Sequence, residues 1–246
     1  MKVLKDFKLQ NKCLDCDLRN SSFFCNFSPT TLQSFESIKT TNAYPKGSHL
    51  FIEGQPSNGI FMLCRGRVKL TTYSRNGKAL ILRIAVPGEI LGLSAAISES
   101  NNETTAEAIE TCQVNFVRKS EFCRFLEQNA DAGMNALKQL SLQYKKAYMQ
   151  VRSLALSTCV ADKLATILLE WSKEAPSNNG SVHLKNLFSH EEIAEMIGTS
   201  RETVTRLLKD FRERNLISIN GSDFYIPDKH KLEVTIGNGK RPKQVR

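Results

Sequence analysis

Residues 189–219 read SHEEIAEMIGTSRETVTRLLKDFRERNLISI, and the nature of the C-terminal part turns on this run. Ser189 followed by Glu192 is a capping box, in which each side chain satisfies the other residue's backbone amide at a helix start. Ile193, Ala194 and Ile197 then make a short apolar face, and Gly198 permits a tight left-handed exit. Ser200, with Thr203 nearby, opens a second helix whose core positions are Val204, Leu207, Leu208 and Phe211. A short helix, a glycine turn and a second helix with a polar opening form a helix-turn-helix pattern. The second helix of such a unit enters a major groove with its N-terminal residues at base edges. Its outward positions here are Arg201, Glu202, Thr205, Arg206 and Lys209. Arg makes a bidentate bond to guanine O6 and N7, and Glu accepts from cytosine N4. Ser200, Thr203 and the helix N-terminus suit a phosphate. A merely solvated helix face has no need of two Arg and a Glu so placed. ISINGSDFYIPD, from Ile217, predicts a small hairpin, or wing, turning at Asn220-Gly221.

Working back along the chain, Ser157 or Thr158 caps a further predicted helix with Ala161, Leu164, Ala165, Leu168 and Leu169 on its apolar face, ending before Pro176. VHLKNLF, from Val182, is a short strand and entry turn. Residues 120–156 have few helix breakers and read as helix. Along them Ala130, Gly133, Leu137, Leu140, Tyr144, Ala147, Val151 and Leu154 follow an unbroken 3,4 spacing, an a/d seam rather than the wider stripe of a helix lying on its own domain. The seam from Leu137 to Leu154 predicts a homodimer. Residues 45–120 hold glycines at 47, 54, 59, 66, 77, 88 and 92, with HLFIE, IFMLC, RVKLTTY, ALILRIAV and CQVNFV between or after them. Short β-branched and aromatic segments bounded by turn formers predict a small β-barrel or roll. Asn76-Gly77 predicts a two-residue type I′ hairpin turn, with positive φ at both positions.

Composition narrows the classes. The 246 residues carry 34 Lys and Arg against 25 Asp and Glu, a net charge of +9. The excess is spread along the chain, +7 over residues 1–156 and +2 over 157–246, so a nucleic-acid reading rests on local placement rather than bulk charge. No apolar run approaches the ~20 residues of a membrane span, and the N-terminus has no signal-peptide core, so a cytoplasmic protein without membrane attachment is expected. Seven Cys in such a chain argue against a disulfide framework. Three of them fall within residues 1–28 and suit a metal–thiolate centre, a reactive thiol or plain packing. No Ser/His/Asp set, HExxH, P-loop or paired-carboxylate arrangement is present, so an enzyme is not expected.

In order, these parts resemble the CRP/FNR superfamily of bacterial transcription regulators. KGSHLFIEGQPSNGIFMLCRGRVKL and VPGEILGL resemble its cyclic-nucleotide-binding β-roll, and IAEMIGTSRETVTRLLKDF its DNA-binding helices. The resemblance implies an α+β chain with a Cys-rich segment at 1–28, a β-roll effector domain at 29–125, a dimerisation helix at 126–156 and a winged helix-turn-helix at 157–228; residues 229–246, ending GNGKRPKQVR, read by their own composition as a disordered basic tail. The resemblance also implies a homodimer on palindromic double-stranded DNA with a TGTGA-like half-site. There Glu202 would meet cytosine, Arg206 a guanine, and Arg201 a guanine or phosphate. RNA polymerase is a further partner if the protein activates. In the cAMP-responsive branch the pocket uses the Glu of a GE-x-x-GL turn, then an Arg-Ser pair. Here Glu89 is present, but the pair is Thr104-Thr105, so the charge-assisted anchor for a cyclic phosphate is missing and cAMP binding of the usual kind is not expected. The N-terminal set Cys13-x2-Cys16-x8-Cys25 resembles the oxygen-sensing FNR branch, where such a group and one distant Cys hold a [4Fe–4S] cluster. Asn115 stands at the best match for the distant position, Cys112 lies three residues earlier, and Cys64 is another candidate.

Overall fold

The computed structural model of the chain describes residues 7–236 except 11, 23, 157–158, 174–176, 179–180, 186–187 and 222; for 20, 21, 150, 153–156, 177 and 178 it describes the backbone alone. Two compact units are present, Met1–Lys146 and Ala147–Arg246.

In the first unit α1 (Leu18–Ser21) and α2 (Pro29–Ile38) precede the strands β1 (Thr40–Tyr44), β2 (His49–Phe51), β3 (Gly59–Arg65), β4 (Val68–Tyr73), β5 (Ala79–Ala85) and β6 (Ile90–Leu91). Then come α3 (Leu93–Ile97), β7 (Thr105–Ala108), β8 (Cys112–Arg118), α4 (Lys119–Gln128) and α5 (Ala130–Leu156), the last running on into the second unit. The strands make two antiparallel four-stranded sheets, β1-β8-β3-β6 and β2-β7-β4-β5. Between them lies one core, which includes Leu50, Phe61, Leu63, Val68, Leu91, Ala106 and Cys112. A second core, with Phe24, Leu32, Phe35, Ile60, Met62, Phe122 and Ala136, joins the helices to the outer side of the first sheet. Strand β3 serves both. Successive side chains point to opposite faces, so Phe61 and Leu63 enter one core while Ile60 and Met62 enter the other. A strand covered on both sides is apolar throughout, as IFML is.

The second unit holds α6 (Val160–Trp171), β9 (Ser177–Asn178), β10 (Ser181–Leu184), α7 (His190–Ile197), α8 (Arg201–Glu213), β11 (Ser218–Asn220), β12 (Asp223–Ile226) and α9 (Lys229–Thr235). Its sheet runs β11-β12-β10-β9. Leu164, Ala165 and Leu168 of α6 are buried, as are Ile193, Ile197, Val204, Leu208 and Phe211 of α7 and α8.

Several expectations are corrected. The helix over 120–156 is two helices, broken at Asn129, which has φ −129° and ψ 96° and caps α4. The long helix therefore begins at Ala130. The β4–β5 hairpin forms, but its turn spans residues 74–78 and only Gly77 has positive φ, so it is not a two-residue type I′ turn. Ser74 closes the longer loop by accepting the Lys78 amide on its hydroxyl, at 3.1 Å. In the wing hairpin Asn220 pairs with Asp223, so the turn is one residue later than expected. Cys159 takes the N-cap of α6; Ser157 and Thr158 lie outside the described residues. Residues 229–235, expected in a disordered tail, form α9 instead. Asp228 caps it, Leu232 is fully buried, and Lys229 Nζ donates to the Ser172 carbonyl at 2.9 Å. The expectation for 237–246 lies outside the described residues.

Candidate nucleic-acid interface and effector site

The helix-turn-helix is built as its residues dictate. Ser189 Oγ accepts from the Glu192 amide and Glu192 returns the bond to the Ser189 amide at 3.0 Å. Gly198 takes φ +70°, a left-handed conformation that a Cβ would strain. Ser200 caps α8 by accepting from the Thr203 amide, and its hydroxyl lies 3.1 Å from that of Thr203. Arg201, Glu202, Thr205, Arg206 and Lys209 are exposed on one side of α8, and Thr203 is half-buried. Hydrogen bonds from its own amide and from Ser200 hold the Glu202 carboxyl below the usual range, which keeps it an acceptor. Lys209 lies 3.8 Å from Glu213, an exposed pair of little weight. One contact has no counterpart in the sequence pattern. Thr205 Oγ1 meets His190 Nδ1 at 2.9 Å and donates to the Arg201 carbonyl at 3.0 Å. The threonine is thereby engaged with α7 rather than simply projecting. In the wing, Tyr225 of β12 stacks on His183 of β10, whose Nε2 is 2.8 Å from Asp223.

In the first unit Glu89 is 8% exposed. Its carboxylate accepts from Arg83 Nη1 on β5 and, at 2.9 Å, from Lys146 Nζ on α5. Thr104 is half-buried. Thr105 is buried, and its hydroxyl accepts from the Glu53 amide at 3.1 Å. Residues 104–105 thus bring no positive charge, and the two cations at the Glu89 turn are engaged by a carboxylate of the chain itself. This residue set does not fit a cyclic phosphate.

Four of the seven cysteines lie in the two cores of the first unit. Cys13, Cys25 and Cys64 pack on the helix-side core. Cys64 follows Ile60 and Met62 on that face and sits at a β-bulge, where the register with β8 shifts between Leu63 and Arg65. Burial pushes the Cys25 and Cys64 thiols up to about 12, and Cys13, Cys16 and Cys25 lie near enough to Cys64 for a charge on any of them to act on it. Lys39 Nζ stands 3.1 Å from Cys13 Sγ and opposes the upward push of burial there. Cys112, the expected fourth member, is elsewhere. It is fully buried between the sheets, with Sγ 3.3 Å from the Arg67 and Glu110 carbonyls. Among the described residues no three His, Cys, Asp or Glu are arranged to hold a metal ion.

Along α5, Ala132, Asn135, Ala136 and Gln139 are buried and Leu140 packs on the helix-side core. Leu137, Tyr144 and Val151 are 60%, 74% and 65% exposed, and Ala147 is exposed; the Leu154 side chain lies outside the described residues. Met134, 53% exposed, and Tyr148, 59% exposed, join the outward stripe. The exposed apolar line therefore runs Met134, Leu137, Tyr144, Tyr148, Val151, with Ser141 in the remaining place.

A β-roll with a helix leaving it, and a winged helix with a basic, polar-capped face, are the parts of a DNA-reading protein. Residues 41–129 match the cyclic nucleotide-binding domain family and residues 162–235 the Crp-like helix-turn-helix domain family. The cAMP-activated global transcriptional regulator CRP of Pasteurella multocida is 28% identical over 199 residues, 80% of this chain and 94% of that protein. A CRP-like cAMP-activated global transcriptional regulator of Mycobacterium tuberculosis is 22% identical over 220 residues, 89% of this chain and 98% of that one. Among solved structures, FixK2 from Bradyrhizobium japonicum superposes with a TM-score of 0.70 at 20% identity, covering 80% of this chain and 96% of its own. The chain belongs to the CRP/FNR superfamily and is a DNA-binding transcription regulator rather than an enzyme. Among the described residues no helix is long and apolar enough to cross a membrane.

Proposed function

We propose that this regulator acts in the cytoplasm as a homodimer, each copy laying α8 in a major groove of a palindromic site with TGTGA-like half-sites one helical turn apart. The observation that carries this reading is the exposed Arg201, Glu202 and Arg206 at the N-terminal end of a capped helix. Glu202 accepts from a cytosine amino group, Arg206 binds a guanine, and Arg201 takes a guanine or the adjoining phosphate. Ser200 and Thr203 set the helix N-terminus against the backbone. The outward apolar line on α5 supports the pairing of two copies, because long unpartnered apolar rows on a helix favour a coiled-coil neighbour. Titration of an inverted-repeat duplex and of its scrambled counterpart over a salt series tests it. Strong binding to the repeat, falling steeply with salt, is expected. Equal affinity for both duplexes overturns it.

A second reading concerns the signal. Cys64 of β3 packs on the same core as Cys13 and Cys25 of the N-terminal segment, so thiols from two separate stretches lie near one another, which favours redox chemistry at thiols as the input. Soft thiolates are the donors that iron–sulfur clusters and zinc select. On this reading Cys64, which packs on the same core as Cys13 and Cys25, takes the place that Cys112 was expected to fill. Iron and zinc analysis with an anaerobic absorption spectrum decides it. Stoichiometric metal lost in the Cys64→Ala variant supports the reading; a colourless, metal-free protein that binds its duplex equally with and without oxidant removes it.

A further inference from the structure

The Glu89 turn does more than fail to fit a nucleotide. Its carboxylate is buried and faces two cations from different elements, Arg83 of β5 and Lys146 of α5. One helical turn before Lys146, Gln143 Nε2 donates to the Ile90 carbonyl at 3.1 Å, the residue after Glu89. Two successive turns of α5 are therefore tied to the same short stretch of the β-roll. The turn is also fastened on its other flank. Ser22 Oγ donates to the Gly88 carbonyl at 2.8 Å, and the same serine bonds to Cys25. Gly88 has φ +92°, and a Cβ there would lie 2.7 Å from that of Ser22, so the two segments are in direct contact. The Leu63 amide bonds the Glu89 carbonyl and the Gly88 amide bonds the Leu63 carbonyl, next to Cys64.

We propose that Arg83, Glu89 and Lys146 form a built-in latch that holds α5 on the β-roll by an internal carboxylate, and that the Gly88–Glu89 turn relays movement of the cysteine-bearing segment to that helix. The physical ground is the cost of a buried charge. A carboxylate withdrawn from water is tolerated only while paired, so Glu89 ties its partners in place as strongly as they neutralise it. Lys146 is the movable partner, because it is more exposed than Arg83 and lies on α5 rather than in the sheet. When the turn shifts, the helix loses its tie at 143–146, within the stretch that presents Tyr144 and Tyr148.

Hydrogen exchange on the full-length protein, free of DNA, tests the latch apart from the reading of α8. Amides over 143–152 are expected to exchange about tenfold faster in Lys146→Met and in Glu89→Gln, as local opening replaces a tied state. The double variant should show no further gain, since both changes break one interaction. Lys145→Met, the same charge change one residue away, should leave the exchange unaltered. Saturating cAMP should not protect these amides in the unaltered protein. Wild-type exchange in Lys146→Met, full additivity in the double variant, or protection by cAMP each overturns the proposal. If Glu89→Gln does not fold, the exposed Lys146 position decides alone. Ser22→Ala is expected to speed the same amides, and exchange unchanged there overturns the relay.

Discussion

At the reading face of α8 single residues carry separable energies. Arg206 and Glu202 are exposed and four positions apart, one turn of helix, so each reaches its own base pair. Arg206→Ala is expected to cost about 1–3 kcal/mol on the preferred duplex and to relax the choice at one base pair only. Fluorescence titration against duplexes varied base by base checks this; uniform loss across sequences would mark Arg206 as a phosphate contact. Cys112 allows a prediction of the opposite kind, about stability. Burial pushes its thiol from 9.0 up to about 11. Between those values the folded chain keeps a proton that the unfolded chain has released, so folding binds more protons and stability falls as pH rises through this window. Below 9.0 the contribution is fully present. Urea unfolding over a pH series should show a shallower alkaline loss in Cys112→Ala than in the unaltered protein, and identical slopes would refute the assignment. The sequence alone placed Cys112 in a ligand set because it lies near the expected strand position. Its side chain faces the inter-sheet core, while Cys64 falls two residues after Met62 and so shares the face that meets the other cysteines.

At the scale of elements, legibility follows how local the determining physics is. The α7–α8 pair was readable because its capping box, left-handed glycine and apolar spacing all act within a few residues; of the expected core positions of α8, Val204, Leu208 and Phe211 are buried and Leu207 is half-buried. Five of the roll's strands, β2, β3, β4, β5 and β8, were readable for the same reason, whereas β1, β6 and β7 carry too short or too polar a run to stand out. The break at Asn129 was not, because α4 and α5 part to follow the helix-side core, and Asp131 fastens the junction to α2 by accepting the Ser28 amide and the Thr31 hydroxyl. These partners are 103 and 100 residues away in sequence. The outward line on α5 differs from the expected seam on similar grounds. Leu140 is drawn to its own core, and Tyr148 is exposed beside Ala147. The tie between Glu89 and Lys146 joins residues 57 apart in sequence, of which only Glu89 stood out in the sequence, as the carboxylate of the GE-x-x-GL turn. At the β3–β4 junction the requirement is for no side chain at all. Gly66 has φ +88°, and a Cβ there would lie 2.6 Å from Cys112 Sγ and 2.8 Å from the Thr111 carbonyl. Gly66→Ala is expected to destabilise the first unit by about 2–3 kcal/mol, from strain and overpacking together. A thermal or urea midpoint matching the unaltered protein would show that the turn re-forms.

At the scale of the whole molecule, the proposed function requires two copies, and the surface offered for pairing is an apolar stripe along α5, flanked by Leu142 and Met149. Met134, Leu137, Tyr144, Tyr148 and Val151 stand exposed along one side of a helix 27 residues long, with Ser141 in the gap between Leu137 and Tyr144. A carboxylate placed in the middle of such a line would be buried without a counter-charge in the dimer, yet would remain solvated in the monomer. Tyr148→Glu is therefore expected to leave the circular dichroism of the chain unchanged and to shift sedimentation from dimer to monomer. The consequence for DNA follows by addition of contacts. One α8 on one half-site forgoes the second set of phosphate neutralisations, so the variant should bind an inverted repeat no better than a single half-site. The slope of log affinity against log salt should fall to about half, since that slope scales with the phosphates neutralised. A Tyr148→Glu protein that sediments as a dimer and keeps the full slope would move the pairing surface off α5. A monomer with the full slope would mean that one copy makes all the phosphate contacts, and the palindrome would lose its physical basis.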